Sequence, residues 1–520
     1  MAIPRKLFDP LSKTSHSSYG QILKSSALIG GSSVINILLG IIRTKFLAVL
    51  LGPSGVGLMG LYNSITTTVG LATSMGINTT GIRQIAEAAA TNDQTRIARA
   101  VTVLRRSAFF RGTLGALIVL LFAVPICQFS FGNREHASGL AMLAITVLLG
   151  SILGGQSALL QGMRRIGDIA KVGMWGALNG TLLSIPLVYF FGQNGIVPFL
   201  LAVSVTSLVS SWWYARKIQV PPVKMGWWET LTEARSMLKL GAAVMAGAVM
   251  TNLVTYAARV LIVRHLDLDA AGQYQAAWTL SGLYAGFVMQ AMGTDFYPRL
   301  TATGADNQAS NRLINEQVEV GLLMAAPGIL ATLAFAPLAI KIFYSSGFGP
   351  AGEILRWQVL GILLRVATWP LGYVLLARAK SKWFFWTELA ANLAHLLFLF
   401  VGLKLWGLVG TGIAFLGLSL FHAIQINVIV RRMTDFRWGA ANLKLAIIIL
   451  PLAIGVSVAA WYLPPLWMAV VGGAVAIFMG LYSLSHLAAA LRYGTVLEMV
   501  NTLTKRVLAK IKPPAPKESL

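Results

Sequence analysis

One cysteine in 520 residues, Cys127, rules out an intrachain disulfide and any cysteine-built metal site. It stands in an apolar run and reads as a small buried hydrophobe. Charge is scarce as well: 12% of the residues are Asp, Glu, Lys or Arg, where a soluble domain carries about 25%. Acidic residues are the scarcest, 18 against 42 Lys and Arg, which leaves a net charge of +24. The histidines (His16, His136, His265, His395, His422 and His486) are scattered without metal-ligand spacing. No G-x-x-x-x-G-K-[ST] run exists to cradle ATP, and Gly52-Pro53-Ser54-Gly55 has no adjoining lysine. These absences remove metal enzymes and ATP-driven pumps. With no repeated filter segment and no matched ring of charges, a carrier fits better than a channel.

What the chain has is long apolar runs. It is 56% hydrophobic, with a mean hydropathy of +0.70. Runs of bilayer-spanning length recur from end to end. The windows are 25–48, 56–77, 106–129, 139–160, 171–191, 195–213, 240–263, 274–294, 319–343, 354–377, 383–402, 406–429, 445–463 and 467–489, fourteen in all. The chain is therefore expected to be an all-α polytopic membrane protein. The cations do not mark a nucleic-acid face, because they cluster in short loops, as in Arg164, Arg165 and Lys171, or Arg378, Lys380 and Lys382. Alternate loops carry them, which predicts an even number of spans and both termini in the cytoplasm. Residues 1–24 are polar, and the first apolar run exceeds signal-peptide length without a small-residue cleavage site, so it is expected to stay as the first span.

The spacing divides the chain into a cytoplasmic tail (1–24), a six-helix bundle (25–214), a cytoplasmic linker (215–239), a second six-helix bundle (240–430), an additional helix pair (431–489) and a cytoplasmic tail (490–520). Between Arg83 and Arg106 the pattern predicts short amphipathic helices at the interface. Trp227 and Trp228, in the linker, read as interface anchors. A faint internal echo supports two halves: a shift of 215 residues sets Gly57 on Gly272 and brings Arg43 within one position of Arg259. Duplicated halves with substrate between them are common among secondary transporters.

The stretch from Gly30 to Gly81 carries the sharpest chemistry. Arg43 and Lys45 stand late in the first apolar run, followed by a predicted surface turn at Gly52–Gly57 and a return helix. A charge inside a membrane segment is costly and usually faces a protein cavity. The alternative is that both side chains snorkel to the headgroups. Arg259 has Asn252, Thr255 and Tyr256 on the same helical stripe, and Arg365 is set among Leu363, Leu364, Val366 and Ala367. Arginine's rigid fork suits phosphate oxygens, so converging arginines would receive a multiply anionic group. The alternative for Arg259 and Arg365 is pairing with buried carboxylates. Glu388 shares a face with Asn392 and His395 and is the candidate for proton or sodium coupling, or a partner for Arg365. Asp295 and Arg299, flanking Tyr297-Pro298, read as a gate or a helix-end salt bridge.

The run from Ile42 to Leu58 (IRTKFLAVLLGPSGVGL) resembles the first hairpin of bacterial O-antigen and enterobacterial-common-antigen translocases. These are lipid-linked oligosaccharide flippases of the multidrug/oligosaccharidyl-lipid/polysaccharide exporter superfamily. Ala271–Trp278 (AGQYQAAW) and Tyr297–Leu300 (YPRL) resemble their second-half signatures, and the likeness extends over roughly residues 20–430. The resemblance implies two six-helix bundles in a V that opens alternately to each face, here with two further C-terminal helices. It implies transport of an undecaprenyl-pyrophosphate-linked oligosaccharide from the cytoplasmic to the periplasmic leaflet of a bacterial inner membrane. In similar flippases a basic residue at the position of Arg43 lines the cavity and binds the headgroup. No cofactor is implied. Partners would be membrane lipids, a periplasmic-face polymerase and a chain-length regulator, with no nucleic acid. Two other readings stand beside it: a multidrug or organic-cation antiporter of the same superfamily, which would want unpaired membrane carboxylates, and a non-transport scaffold of an envelope polysaccharide complex.

Overall fold

The computed structural model describes residues 11–91 and 93–490. Among these, the regular structure is helical: fifteen α-helices and two short 3₁₀ turns. In chain order the helices are α1 (Leu11–Ser74), α2 (Ile77–Ala90), α3 (Gln94–Leu121), α4 (Ala123–Phe131), α5 (Ala137–Gly162), α6 (Ile166–Phe191), α7 (Ile196–Ala215), α8 (Trp227–His265), α9 (Leu268–Ala302), α10 (Asn307–Phe343), α11 (Ala351–Ala377), α12 (Ser381–Trp406), α13 (Gly410–Thr434), α14 (Ala440–Tyr462) and α15 (Pro465–Ala490). The tails beyond residues 11 and 490 lie outside the described residues.

Ten of the described helical stretches are long and apolar enough to cross a membrane, or eleven if α3 and α4, bent by 62°, make one broken crossing. Two of the ten are too long for one passage. Gly31–Ser74 has 44 residues and Ile166–Ala215 has 50; at about 1.5 Å per residue, each exceeds twice a hydrocarbon core of about 30 Å. Each holds two of the sequence windows. The break in the second is the Gly192–Gly195 turn. The break in α1 is one residue, Gly52, at φ 65° and ψ −173°. A left-handed backbone suits glycine, and Pro53 then restarts the helix where its missing N–H costs nothing. The surface turn expected over Gly52–Gly57 is thus a single-residue kink, and Gly57 lies inside a helix.

Gly57 has a packing role. A Cβ there would strike the carbonyl oxygen of Leu268, and a Cβ on Gly272 would strike the carbonyl oxygen of Pro53. The contact is reciprocal in the 215-residue register, since that shift carries Pro53 to Leu268 and Gly57 to Gly272. One turn on, a Cβ on Gly60 would meet Oε1 of Gln275, its own counterpart, at 3.1 Å. Residue i meeting j while j′ meets i′ is the mark of a two-fold contact between like surfaces. The weak echo in the sequence is a physical crossing of α1 with α9.

Two further expectations shift in detail. The interfacial stretch after Arg83 forms α2, whose Ile77, Ile85 and Ala88 are buried, and α3 begins early, at Gln94, capped by Asp93 accepting from the Arg96 amide at 2.9 Å. The linker is extended only up to Gly226; from Trp227 it is already the first turns of α8.

The chain forms two compact units. The first takes in residues up to Ala277 together with Pro337–Ile354 and Glu388–Ala414; the second takes in Trp278–Ala336, Leu355–Thr387 and the rest from Phe415. In the first unit, Leu47, Leu58, Tyr62, Cys127, Leu140 and Phe199 anchor one buried cluster, and Ile77, Ile85, Leu104, Leu159 and Met237 a second. In the second unit the C-terminal pair is packed on α10 and α11. Gly472 abuts Ala334, and Trp357 and Trp461 stand 6.1 Å apart. Asn315 donates to the Arg437 carbonyl at 3.0 Å, while its side-chain oxygen accepts from the amides of Gly439 and Asn442 at 2.7 and 2.9 Å.

Candidate functional site

A cavity of about 550 Å³ opens in the first unit at the Ser74 end of α1. Its wall is hydroxyl- and amide-rich: Asn63, Thr66 and Thr67 from α1, Asn78 from α2, Thr146 from α5 and Ser204 from α7. The one cation in the wall is Arg111, from α3. Its side chain is buried to 6% exposure. Nη1 donates to the Ser74 carbonyl at 2.9 Å, Nη2 to Asn78 Oδ1 at 3.2 Å, and Nε to the Ser107 carbonyl at 3.2 Å. All three acceptors are neutral, so the guanidinium is held in place without a carboxylate partner among the described residues. A buried charge without a counter-ion attracts an anion that can enter the space beside it.

The residues expected from sequence to bind substrate lie elsewhere, and none of the six lines this cavity. Arg43, half-buried on α1, turns toward α6, where its Nη1 would sit 2.8 Å from a Cβ on Gly180. Val203, a cavity-wall residue, packs against the same glycine. Lys45 donates to the Lys341 carbonyl at 2.7 Å, near the C-terminus of α10, where a cation meets the negative end of a helix. Arg259 is buried to 7% exposure. Its Nε and Nη2 donate to Gln275 Oε1 at 3.0 and 2.7 Å, and Nη1 reaches the Thr255 carbonyl at 3.3 Å. A glutamine amide thus takes the place of the buried carboxylate weighed for Arg259.

The polar stripe above Arg259 is used locally. Asn252 donates to its own helix at Ala248, 2.9 Å. The Tyr256 hydroxyl is 2.6 Å from Ser130 Oγ. Arg365 belongs to the second unit, exposed, with its guanidinium 5.6 Å from the Phe415 ring centre. Glu388, half-buried, and His395, buried, share one face of α12, and the Glu388 carbonyl accepts from Asn392 at 2.8 Å. Arg299 is exposed on α9, which runs through Pro298 unbroken. The Asp295 side chain lies outside the described residues.

Residues 46–352 match the family model described as "Polysaccharide biosynthesis protein". The chain belongs to that polysaccharide biosynthesis family. Among curated relatives, the Lipid III flippase of Escherichia coli (strain K12) is 25% identical over 378 residues, covering 71% of this chain and 88% of the relative. Among solved structures, "Lipid II flippase MurJ, inward closed conformation" superposes with a TM-score of 0.67 at 12% identity, covering 90% of this chain and 99% of that one. An inward-facing multidrug resistance MATE family transporter gives 0.66 at 13% identity, covering 77% and 94%. This member of the polysaccharide biosynthesis family therefore has the fold those transporters share.

Sequence reasoning missed Arg111. It follows Arg105 and Arg106 so closely that its charge reads as the end of a basic loop. The signal was present: Arg111 lies one helical turn beyond Ser107, well inside the apolar window 106–129, whereas Arg105 precedes that window and Arg106 opens it.

Proposed function

We propose that this polysaccharide biosynthesis family member is a flippase that carries an undecaprenyl-pyrophosphate-linked oligosaccharide across the inner membrane. The observation that carries the reading is the sign of the first unit's buried charge. Arg43, Arg111 and Arg259 stand on membrane helices, and among the described residues none of them pairs with a carboxylate. A diphosphate headgroup supplies the missing negative charge; an organic cation would add to the excess. That disfavours the antiporter reading. The relative named as a lipid III flippase supports the substrate class, and its sequence is matched across most of both chains.

In this proposal the chain crosses the bilayer fourteen times with both termini in the cytoplasm. The halves 25–214 and 240–430 rock about the glycine crossing of α1 and α9, forming the two bundles of a V, with α14 and α15 packed outside them. Basic cytoplasmic loops concentrate the anionic lipid at the membrane face. Arg111 and Arg43 replace part of the pyrophosphate's hydration, and the hydroxyls and amides of the cavity receive sugar. Glu388 and His395 are the sites where a proton or sodium gradient would couple, and Arg299 with Asp295 forms a gate. A periplasmic-face polymerase and a chain-length regulator would draw off the product. No covalent step is needed.

The test is a flipping assay in proteoliposomes with undecaprenyl-pyrophosphate oligosaccharide. The parent should move it, and Arg43→Ala should move it at least about tenfold more slowly, the loss of one charge-assisted contact. Equal rates would remove Arg43 from the headgroup site. A parent that moves no lipid-linked sugar would end the reading altogether.

A further inference from the structure

A second hollow, about 810 Å³, lies beside the polar cavity in the same unit. Its floor is apolar: Phe110, Leu114 and Ile118 from α3, and Leu231 and Leu238 from the first turns of α8. Phe110 and Leu231 are 68% and 60% exposed, so this groove offers hydrocarbon to whatever surrounds the helices. The rim is different. Arg106 stands there, tied to the Met225 carbonyl at 2.9 Å and to Thr230 Oγ1 at 2.8 Å, with its guanidinium 4.9 Å from the Trp227 ring centre. Arg235 is exposed at the same rim, with no partner among the described residues. Trp227 and Trp228, 66% and 84% exposed, complete an aromatic and cationic edge of the kind found at headgroup level.

The groove and the cavity share a wall. Along the junction of α1 and α2, Ser74 and Gly76 line the polar cavity, whereas Thr73, Met75 and Ile77 line the apolar groove. Arg111 lines both. The backbone of this partition is special: Met75 and Gly76 have φ of 45° and 74°. A Cβ on Gly241 of α8 would meet the Gly76 carbonyl carbon at 2.6 Å, so α8 touches the partition from the groove's other side.

A polar, hydroxyl-lined compartment and an apolar compartment on either side of one guanidinium fit an amphiphile with an anionic group at the joint. From this juxtaposition we infer that the groove between α3 and the start of α8 seats the polyprenyl chain of the transported lipid, with its pyrophosphate at Arg111. The assignment rests on the flippase reading, and it places the tail on a named face. Phospholipid is the weaker occupant, because its phosphate would stop at Arg106 and Arg235 and would leave the polar cavity unused.

The experiment uses the full chain in proteoliposomes and undecaprenyl pyrophosphate bearing a diazirine in its isoprenoid chain, with labelled residues mapped by mass spectrometry. Label is expected on Phe110, Leu114 and Leu238, displaced by unlabelled undecaprenyl pyrophosphate and not by phosphatidylglycerol. In Leu114→Trp, which fills the floor, the probe should bind about tenfold more weakly, because an overpacked floor has no room for the chain. Displacement by phosphatidylglycerol as well would make the groove a general anionic-lipid seat and overturn the inference. Label on another face, with oligosaccharide still flipped, would overturn it while leaving the flippase reading intact. Label in the groove without any flipping would sustain the seat and remove the transport reading. Because the labelling is done first on the parent, misfolding of the variant cannot hide the answer.

Discussion

The first unit contains two places where α1 or its continuation meets α8 and α9, and they differ in kind. At the Gly52 end, Pro53 meets Gly272, Gly57 meets Leu268 and Gly60 meets its own counterpart Gln275, a reciprocal pattern in the duplicated register. Hydrogen bonds reinforce that seam. Gln273 donates to the Gly347 carbonyl at 2.7 Å and accepts from the Ala351 amide at 3.1 Å, and Lys45 holds Lys341. At the Met75 end, Gly76 meets Gly241, which is not its counterpart, and Thr80 makes a long bond to the Met237 carbonyl at 3.4 Å. Both hollows lie at that second end. The matched crossing brings backbone against backbone, whereas the unmatched one has space beside it for a ligand.

The strongest way to break this contrast is Gly272→Val. Its side chain would be driven into a carbonyl oxygen that the helix holds fixed, so a loss of about 3 kcal/mol or more is expected. Thermal unfolding in detergent reads it. A neutral result would mean the seam is not close-packed. Next comes Arg111→Met, which leaves the Ser74 and Ser107 carbonyls and Asn78 Oδ1 without their donor. About 1–3 kcal/mol of stability should go, together with flipping. Unchanged stability with lost flipping would make Arg111 purely a substrate group. Lys45→Met should cost less, about 0.5–1 kcal/mol, because it removes one cap bond near a helix end. If it accelerates flipping, the seam is a brake on the cycle.

The smallest effect is on pH dependence. His136 sits against the rings of Phe131 and Tyr62, 4.8 and 6.3 Å between centres. Burial lowers its pKa below the usual imidazole range, with Glu135 pulling weakly the other way. The folded protein therefore binds a proton less readily than the unfolded chain. Its stability should be full above pH about 6.5 and decline as the pH falls below it. His136→Phe should flatten that decline in melts compared at pH 8 and 5.5.

Much of the fold could be read from the sequence because the bilayer demands long apolar helices, and each of the fourteen windows falls almost wholly on helix. The Gly57 and Gly272 echo was legible for a similar reason: a two-fold contact repeats its residue types in register. The cavity was harder. Arg43 and Arg259 stand out as lone charges in apolar runs, but what lies across from a helix is fixed by tertiary packing, which no local pattern encodes. Hence Gln275 as the acceptor for Arg259 was invisible, and Arg111 was hidden by its basic neighbours. The same blindness turned Gly57 from a contact residue into an expected turn.

Asn315 has a consequence for how this chain can be shortened or fused. One side chain on α10 fastens the segment leading into α14, through Arg437, Gly439 and Asn442. The root of the last two helices is therefore clasped by one side chain, much as a hinge pin holds a door, while Gly472 and Trp461 rest against α10 and α11 further along. A reporter domain grafted beyond α15 would leave that pin untouched, whereas a cut just before Arg437 would leave it only the Asn311 carbonyl of its own helix to hold.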